Sequence, residues 1–338
     1  MIVNTNRVRE INRELILNSL REKRSLTKNE LSKNTGLSIS TCRNILNDLL
    51  NSGEVEEQNY VSSNGGRPSR QFSLNIDFTH IGTLYLRIEG EVSIIFISIF
   101  NLIEEVIFEK KVEYDEIDLD TIKMNISSLL DHYPKLKSIS IGVPGVVIDG
   151  AIGICDLKKI EHIDIKKVLE DEFPLNIIAE NDVNASALGF YHNSSSSNEE
   201  SFIYLYYPYL GNPGAGIVVN GRIIRGFSNF AGEVGFLPLG VEYKDLGSLQ
   251  NNSPQFLNLV SNTITTLNSV INPKQICLSW VKLDEENFEQ INNRVKEISI
   301  KGHIPTLIYN SNLHDDYIKG LRYLAFKEIS CDIEVLKR

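Results

Sequence analysis

The chain has 338 residues, 42 % hydrophobic and 23 % charged, with a formal net charge of −10, and at roughly 150 residues per domain it has room for two or three domains with sizeable cores. Its most apolar run, Ile94 to Phe100, is far short of the ~20 residues that cross a bilayer, so no membrane partner is expected. The start has no signal-peptide pattern, which makes the cytoplasm the expected compartment, and four scattered cysteines (Cys42, Cys155, Cys277, Cys331) fit reduced thiols, not a disulfide framework or a zinc knuckle.

The charge is unevenly spread. Residues 1–75 carry 11 Lys and Arg against 8 Asp and Glu, whereas residues 76–338 carry 23 against 36. A mildly basic head on an acidic body confines phosphate affinity to the head.

The head begins with Val8, Ile11, Leu15, Ile16 and Leu20, whose three- and four-residue steps predict a helix with one apolar face. Thr27-Lys28-Asn29-Glu30 has the form of a capping box, which opens a short helix that Gly36 ends. Ser38 is placed to cap a further helix with Cys42, Ile45, Leu46 and Leu49 inward and Ser40, Thr41, Arg43, Asn44 and Asn47 outward. Helix, short turn and polar-faced helix is a helix-turn-helix layout. Arg43 suits a guanine edge, Asn44 or Asn47 an adenine edge, and Ser38, Ser40 and Thr41 suit bases or phosphates of a double-stranded operator. Two short strands, Glu54 to Tyr60 and Gln71 to Leu74, flank a glycine-rich loop in which Arg67 and Arg70 are placed to reach phosphates, forming a wing.

The rest reads as two successive lobes, each with three strands followed by alternating helices and strands, which suggests an internal duplication and an α/β body with a ligand cleft between lobes. The expected domains are 1–75, 76–192 and 193–338. Glu233 to Leu239 is read as a strand of the second lobe. Trp280, the tyrosines at 204, 206, 207 and 209, and the stripe Phe256, Leu257 and Val260 read as packing residues. The six histidines show no ligand spacing.

Gly142-Val143-Pro144-Gly145, Glu180-Asn181-Asp182-Val183-Asn184-Ala185, Gly214 through Arg222, and Ala231-Gly232-Glu233-Val234-Gly235-Phe236 resemble, in order, the main motifs of the ROK family of sugar kinases and sugar-responsive repressors. An N-terminal winged helix with a Gly-Arg-Pro wing is what its repressor branch carries. The resemblance implies a two-lobed actin- and hexokinase-like body behind a winged helix-turn-helix, and a homodimer. It places Gly145, Asn181, Asp182, Glu233 and Phe236 at a sugar or sugar-phosphate site.

Kinase activity in that family needs two phosphate loops, a catalytic Asp and Mg²⁺. The Asp persists as Asp182, here read as vestigial, so no catalytic residue is assigned. The first loop reads Arg87-Ile88-Glu89-Gly90-Glu91, whose carboxylates oppose a triphosphate, and the second reads Leu210-Gly211-Asn212-Pro213-Gly214, where Pro213 has no amide to donate. The family's zinc-bound cysteine cluster has no counterpart between Leu239 and Pro254, and Phe236 replaces a sugar-binding His, so neither metal nor cofactor is expected. A sugar-responsive repressor is the leading reading. A sugar kinase with an appended head and a ligand-independent repressor remain alternatives.

Overall fold

The computed structural model describes residues 5–61, 69–193, 200–208, 212–240, 249, 254–280, 283–311 and 313–329. The head comprises α1 (Thr5–Lys23), β1 (Ser25–Thr27), α2 (Lys28–Thr35), α3 (Ile39–Ser52), β2 (Val55–Val61) and β3 (Ser69–Leu74). The expected caps form. The Thr27 hydroxyl accepts from the Glu30 amide while the Glu30 carboxylate accepts from the Thr27 amide, and Gly36 closes α2 in the left-handed conformation. Strand β1 is an addition to the sequence reading; it pairs with β3, giving an antiparallel sheet in the order β1-β3-β2. Leu20, Leu31, Cys42, Leu46 and Phe72 form the fully buried centre of this small core.

The body holds two five-stranded sheets of the same design. In the first, β4 (His80–Glu89), β5 (Val92–Phe100) and β6 (Val106–Tyr114) form an antiparallel meander, and β7 (Leu136–Val143) and β10 (Asn176–Asn181) add in parallel beside β4. In the second, β11 (Phe202–Tyr207), β12 (Gly214–Val219) and β13 (Arg222–Ile223) form the meander, while β14 (Gln275–Trp280) and β15 (Thr306–Tyr309) add in parallel beside β11. Both sheets therefore run third-second-first-fourth-fifth, the duplication the element order predicted. The parallel strands are joined by helical crossovers: α4 (Leu119–His132) and α5 (Ile165–Glu172) in the first lobe, α7 (Pro254–Ile271) and α8 (Glu285–Ile298) in the second.

Two helices lie between the sheets. Helix α6 (Asp182–Asn193) and the last described helix, α9 (Leu313–Ile329), pack on each other; α6 contributes Val183, Ala187 and Tyr191 to a cluster with Phe202, Tyr204 and Tyr206. Although α9 follows the second sheet in sequence, its Tyr317 and Leu321 join Tyr85 and Ala185 against the first sheet, and Ser140 donates to the Leu321 carbonyl at 2.6 Å.

Besides β1 and the Asn220-Gly221 turn that separates β12 from β13, two segments differ from the expected elements. Glu233 to Leu239 is not a strand but a loop with one 3₁₀ turn, Val234–Phe236. Within it Pro238 has no amide for a ladder, and just before it the Gly232 carbonyl accepts from the Ala215 amide at 2.8 Å. Gly232 has φ +98°, and a β-carbon there would lie 2.0 Å from the Ala215 oxygen. A hairpin of β8 (Gly145–Ile148) and β9 (Ala151–Cys155) appears where the sequence reading placed no element. Phe256 and Trp280 pack with Tyr207 in the second core, as expected; position 209 lies outside the described residues. Among the described residues Cys42, Cys155 and Cys277 are free and buried, and no helix is long and apolar enough to cross a membrane.

Candidate functional site

Two surfaces combine polar side chains with the geometry to bind. The first is the N-terminal face of α3. The Ser38 side chain accepts from the Thr41 amide at 3.1 Å, so it caps the helix, and its oxygen is also 2.8 Å from the hydroxyls of Ser40 and Thr41. Arg43, Asn44 and Asn47 project into solvent from the side opposite Cys42, Ile45, Leu46 and Leu49, which are buried. Arg70, at the base of the wing, is exposed but ion-paired with Glu57, so reaching a phosphate would mean exchanging that partner. Arg67 lies outside the described residues.

The second surface is a cleft of about 170 Å³ between the lobes. Gly145, Asn181, Asp182, Glu233 and Phe236 all line it, although they come from β8, the β10–α6 junction and the loop after β13. The Asn181 side chain is the hub. It donates to the Gly145 carbonyl and to an Asp182 carboxylate oxygen, both at 3.0 Å, while its own oxygen accepts from the Asn184 amide at the start of α6. Gly145 must be small, since a β-carbon would lie 2.5 Å from the Ile154 carbonyl of the facing strand.

Burial pushes the Asp182 carboxyl up to about 7, and the nearby carboxylates of Asp156 and Glu233 add to the rise. Burial likewise raises Asp156, and burial with Asp156 nearby raises Glu233. Asp156, just beyond β9, is a cleft residue that the sequence reading did not single out, because it lies between the recognisable motifs. Phe236 and Phe230 stand at the rim with ring centroids 5.3 Å apart, each about half exposed (54 % and 51 %), an apolar shelf next to the carboxyls.

The lobes are also clamped beside the cleft. Arg225, from the second lobe, pairs with the buried Glu180 of the first, and the Asn229 amide donates to the Val147 carbonyl. At the first phosphate-loop position, Glu89 is held by Arg87 and Lys111, both at 3.4 Å, which offsets part of the repulsion expected there. Of the second, Asn212 and Gly214 line the cleft, and 210 and 211 lie outside the described residues. So do most of residues 240–253, the segment lacking the zinc-binding cysteines.

Head and cleft are physically connected. The Arg21 guanidinium, whose pKa burial lowers, donates to the Leu102 carbonyl at 3.0 Å and lies 5.7 Å from the Phe326 ring of α9. Arg322 of α9 pairs with Glu104 in the β5–β6 turn at 3.0 Å. Helix α9 therefore runs from Tyr317, packed on Ala185 of α6, the helix that begins at the cleft residue Asp182, to the seam between head and body.

Residues 93–255 match the ROK family, and residues 9–56 match a winged helix-turn-helix DNA-binding family. A protein named xylose repressor from Caldicellulosiruptor bescii is 26 % identical over 308 residues, 86 % of this chain and 74 % of that protein. The DNA-binding transcriptional dual regulator NagC of Escherichia coli is 24 % identical over 71 % of this chain, a match that spans 61 % of NagC. Among solved structures, a ROK family transcriptional regulator described as a homolog of the Escherichia coli MLC protein superimposes with a TM-score of 0.69 at 17 % identity, covering 95 % of this chain and 97 % of that one.

Proposed function

This chain belongs to the ROK family, and on that premise we propose that it is a cytoplasmic, DNA-binding transcriptional repressor whose interlobe cleft responds to a sugar. One observation carries the reading: an exposed polar face on α3 and a polar cleft share one chain, with α9 packed both on α6, which begins at the cleft residue Asp182, and on Arg21 of the head. As a homodimer, two copies of α3 about 34 Å apart would enter successive major grooves of a pseudo-palindromic operator. A sugar that binds one lobe arrangement better than the other shifts the population of head positions, and repression changes accordingly. Xylose is the first sugar to try, after the name of the relative from Caldicellulosiruptor bescii.

We read the protein as a non-enzyme. Pro213 offers no amide where the second phosphate loop would cradle a nucleotide, and incubation with ATP and each sugar is expected to give no sugar-dependent turnover.

The test is an operator selected from random duplexes with the purified chain, followed by titration with pentoses and hexoses. A selected palindromic consensus and its release by at least one sugar support the reading; binding without sequence preference overturns it. On that operator Arg43→Ala should cost about 1–3 kcal/mol at one base position, with little change on random DNA, whereas Arg67→Ala should weaken both alike. Gel-shift affinities for matched and scrambled duplexes check this, and equal losses from both substitutions would remove α3 from the groove.

A further inference from the structure

We infer that Ile39 is a base-reading residue, and that the feature it reads is the C5-methyl group of a thymine in the major groove. This rests on the reading of α3 as the helix that enters the groove, and it specifies the base at one position. Ile39 opens α3 and is 55 % exposed, whereas Cys42, Ile45, Leu46 and Leu49 of the same helix are buried. The head core takes in Leu37 just before it and Cys42 just after it, but not Ile39. Among the described residues of the head, only Val8 on α1 is another exposed large apolar side chain.

Its position is that of a groove residue. Ile39 stands four residues before Arg43, so the two share a helix face, about one turn or about 6 Å apart along the axis. Side chains on a helix tilt toward its N-terminus, and that end of a recognition helix meets the base edges. The hydroxyls around Ile39 are engaged with one another: Ser38 Oγ lies 2.8 Å from those of Ser40 and Thr41 and accepts from the Thr41 amide. They order the first turn, which then presents Ile39 as its apolar surface. The segment matched to the winged helix-turn-helix DNA-binding family, residues 9–56, includes this turn.

The edges of the base pairs in a major groove are donors and acceptors, apart from the thymine methyl group. Isoleucine has no hydrogen bond to offer, so against the amine of cytosine or adenine it would strip water from a polar group and return nothing. Against a methyl group both partners are apolar and both leave water. Branching at the β-carbon restricts the side chain to few rotamers, so little freedom is lost on contact. Arg43, on the same face, suits a guanine edge. With base pairs stacked about 3.4 Å apart, the thymine belongs within about two base pairs of that guanine.

The experiment replaces each thymine of the selected operator in turn, in both half-sites, with deoxyuridine, which removes the methyl group and leaves the hydrogen-bonding edge intact. Gel-shift affinities are measured with the full chain and with its Ile39→Ala and Ile39→Val variants; circular dichroism melting should show both variants folded like the parent, since the side chain is exposed. At one thymine, within about two base pairs of the position that Arg43→Ala relaxes, deoxyuridine should weaken the parent chain by about threefold or more. Ile39→Ala should bind the thymine duplex more weakly by a similar factor and no longer distinguish it from the deoxyuridine duplex. Ile39→Val, which keeps the branched methyl groups, should retain most of the discrimination. If no thymine shows a methyl effect that depends on Ile39 while Arg43→Ala still relaxes one position, the inference falls and the repressor reading stands. Equal losses for Ile39→Ala on matched and scrambled duplexes overturn it too, because the side chain would then touch the backbone. If no sequence preference is selected at all, both fall together.

Discussion

Replacing Gly320 with alanine is expected to cost the body at least about 3 kcal/mol of stability, above the ordinary range for overpacking, because the obstruction is backbone and not a movable side chain. A β-carbon on Gly320 would lie 1.8 Å from the Ala185 oxygen of α6, and one on Gly189 would lie 1.9 Å from the Asp316 oxygen of α9. The two helices thus cross with their backbones in contact, each supplying the glycine that admits the other. A third glycine, Gly142, gives way to the Tyr317 ring, whose hydroxyl would sit 2.2 Å from an added carbon. Forcing α6 and α9 apart moves the helix that starts at Asp182 away from the helix that reaches Arg21 and Glu104. Both the melting transition and the response of DNA affinity to sugar should therefore suffer. Gly153→Ala is the control, since its nearest neighbour would be 3.4 Å away, in ordinary contact; its melting temperature should hold within a degree or two. Similar melting temperatures for Gly320→Ala and Gly153→Ala would show that the helices can separate freely.

Much of this architecture was legible because local chemistry and tertiary structure agree. Caps at Thr27, Ser38 and Gly36 are set by neighbours three or four residues away, and the inward stripe Cys42, Ile45, Leu46 and Leu49 is the buried face of α3. Two hairpins could have been found and were passed over. Asp149-Gly150 and Asn220-Gly221 are two-residue turns with positive φ at both positions, joining Ile148 to Ala151 and Val219 to Arg222. That is the strongest short-range hairpin signal. Overlooking it hid β8 and β9, and with them the approach to Asp156.

Other features lie beyond any local reading. The Glu233–Leu239 loop is as rich in apolar residues as a strand, and the position of β12 shows that the hydrogen bond beside it goes elsewhere. The return of α9 to the first sheet depends on glycines at 142, 189 and 320, scattered over 178 positions of sequence. The cleft was predictable in membership but not in charge. Its motif residues Gly145, Asn181, Asp182, Glu233 and Phe236 do converge, yet the approach of Asp156 to Asp182 and Glu233 arises from a hairpin that the motifs do not contain.

Asp182→Asn should raise the thermal stability of the unliganded protein, and the gain should depend on pH with a definite sign. In the unfolded chain this carboxyl titrates near 3.9, whereas burial holds it near 7 in the fold. Raised by burial, the group is tolerated best when protonated. Below about pH 4 it is protonated in both states and carries no penalty. As pH rises from about 4 to about 7 the unfolded form ionises first, so the folded state loses stability; above about 7 the loss is complete and flat. The full difference would be about 4 kcal/mol, and water reaching a partly exposed cleft should reduce it to about 1–3 kcal/mol. Asparagine keeps the oxygen that accepts from Val183 and Asn181, so the change removes charge with little loss of hydrogen bonding. Melting curves at pH 4.5, 6, 7 and 8 should show the variant gaining on the parent chain across that range. The carboxyls of Asp156 and Glu233, raised in the same direction, will broaden the transition, so Asp156→Asn should show a smaller gain of the same sign. A gain independent of pH, or a variant less stable at pH 8, would mean that Asp182 is ionised at little cost, with charge and water around it arranged differently from the fold described above.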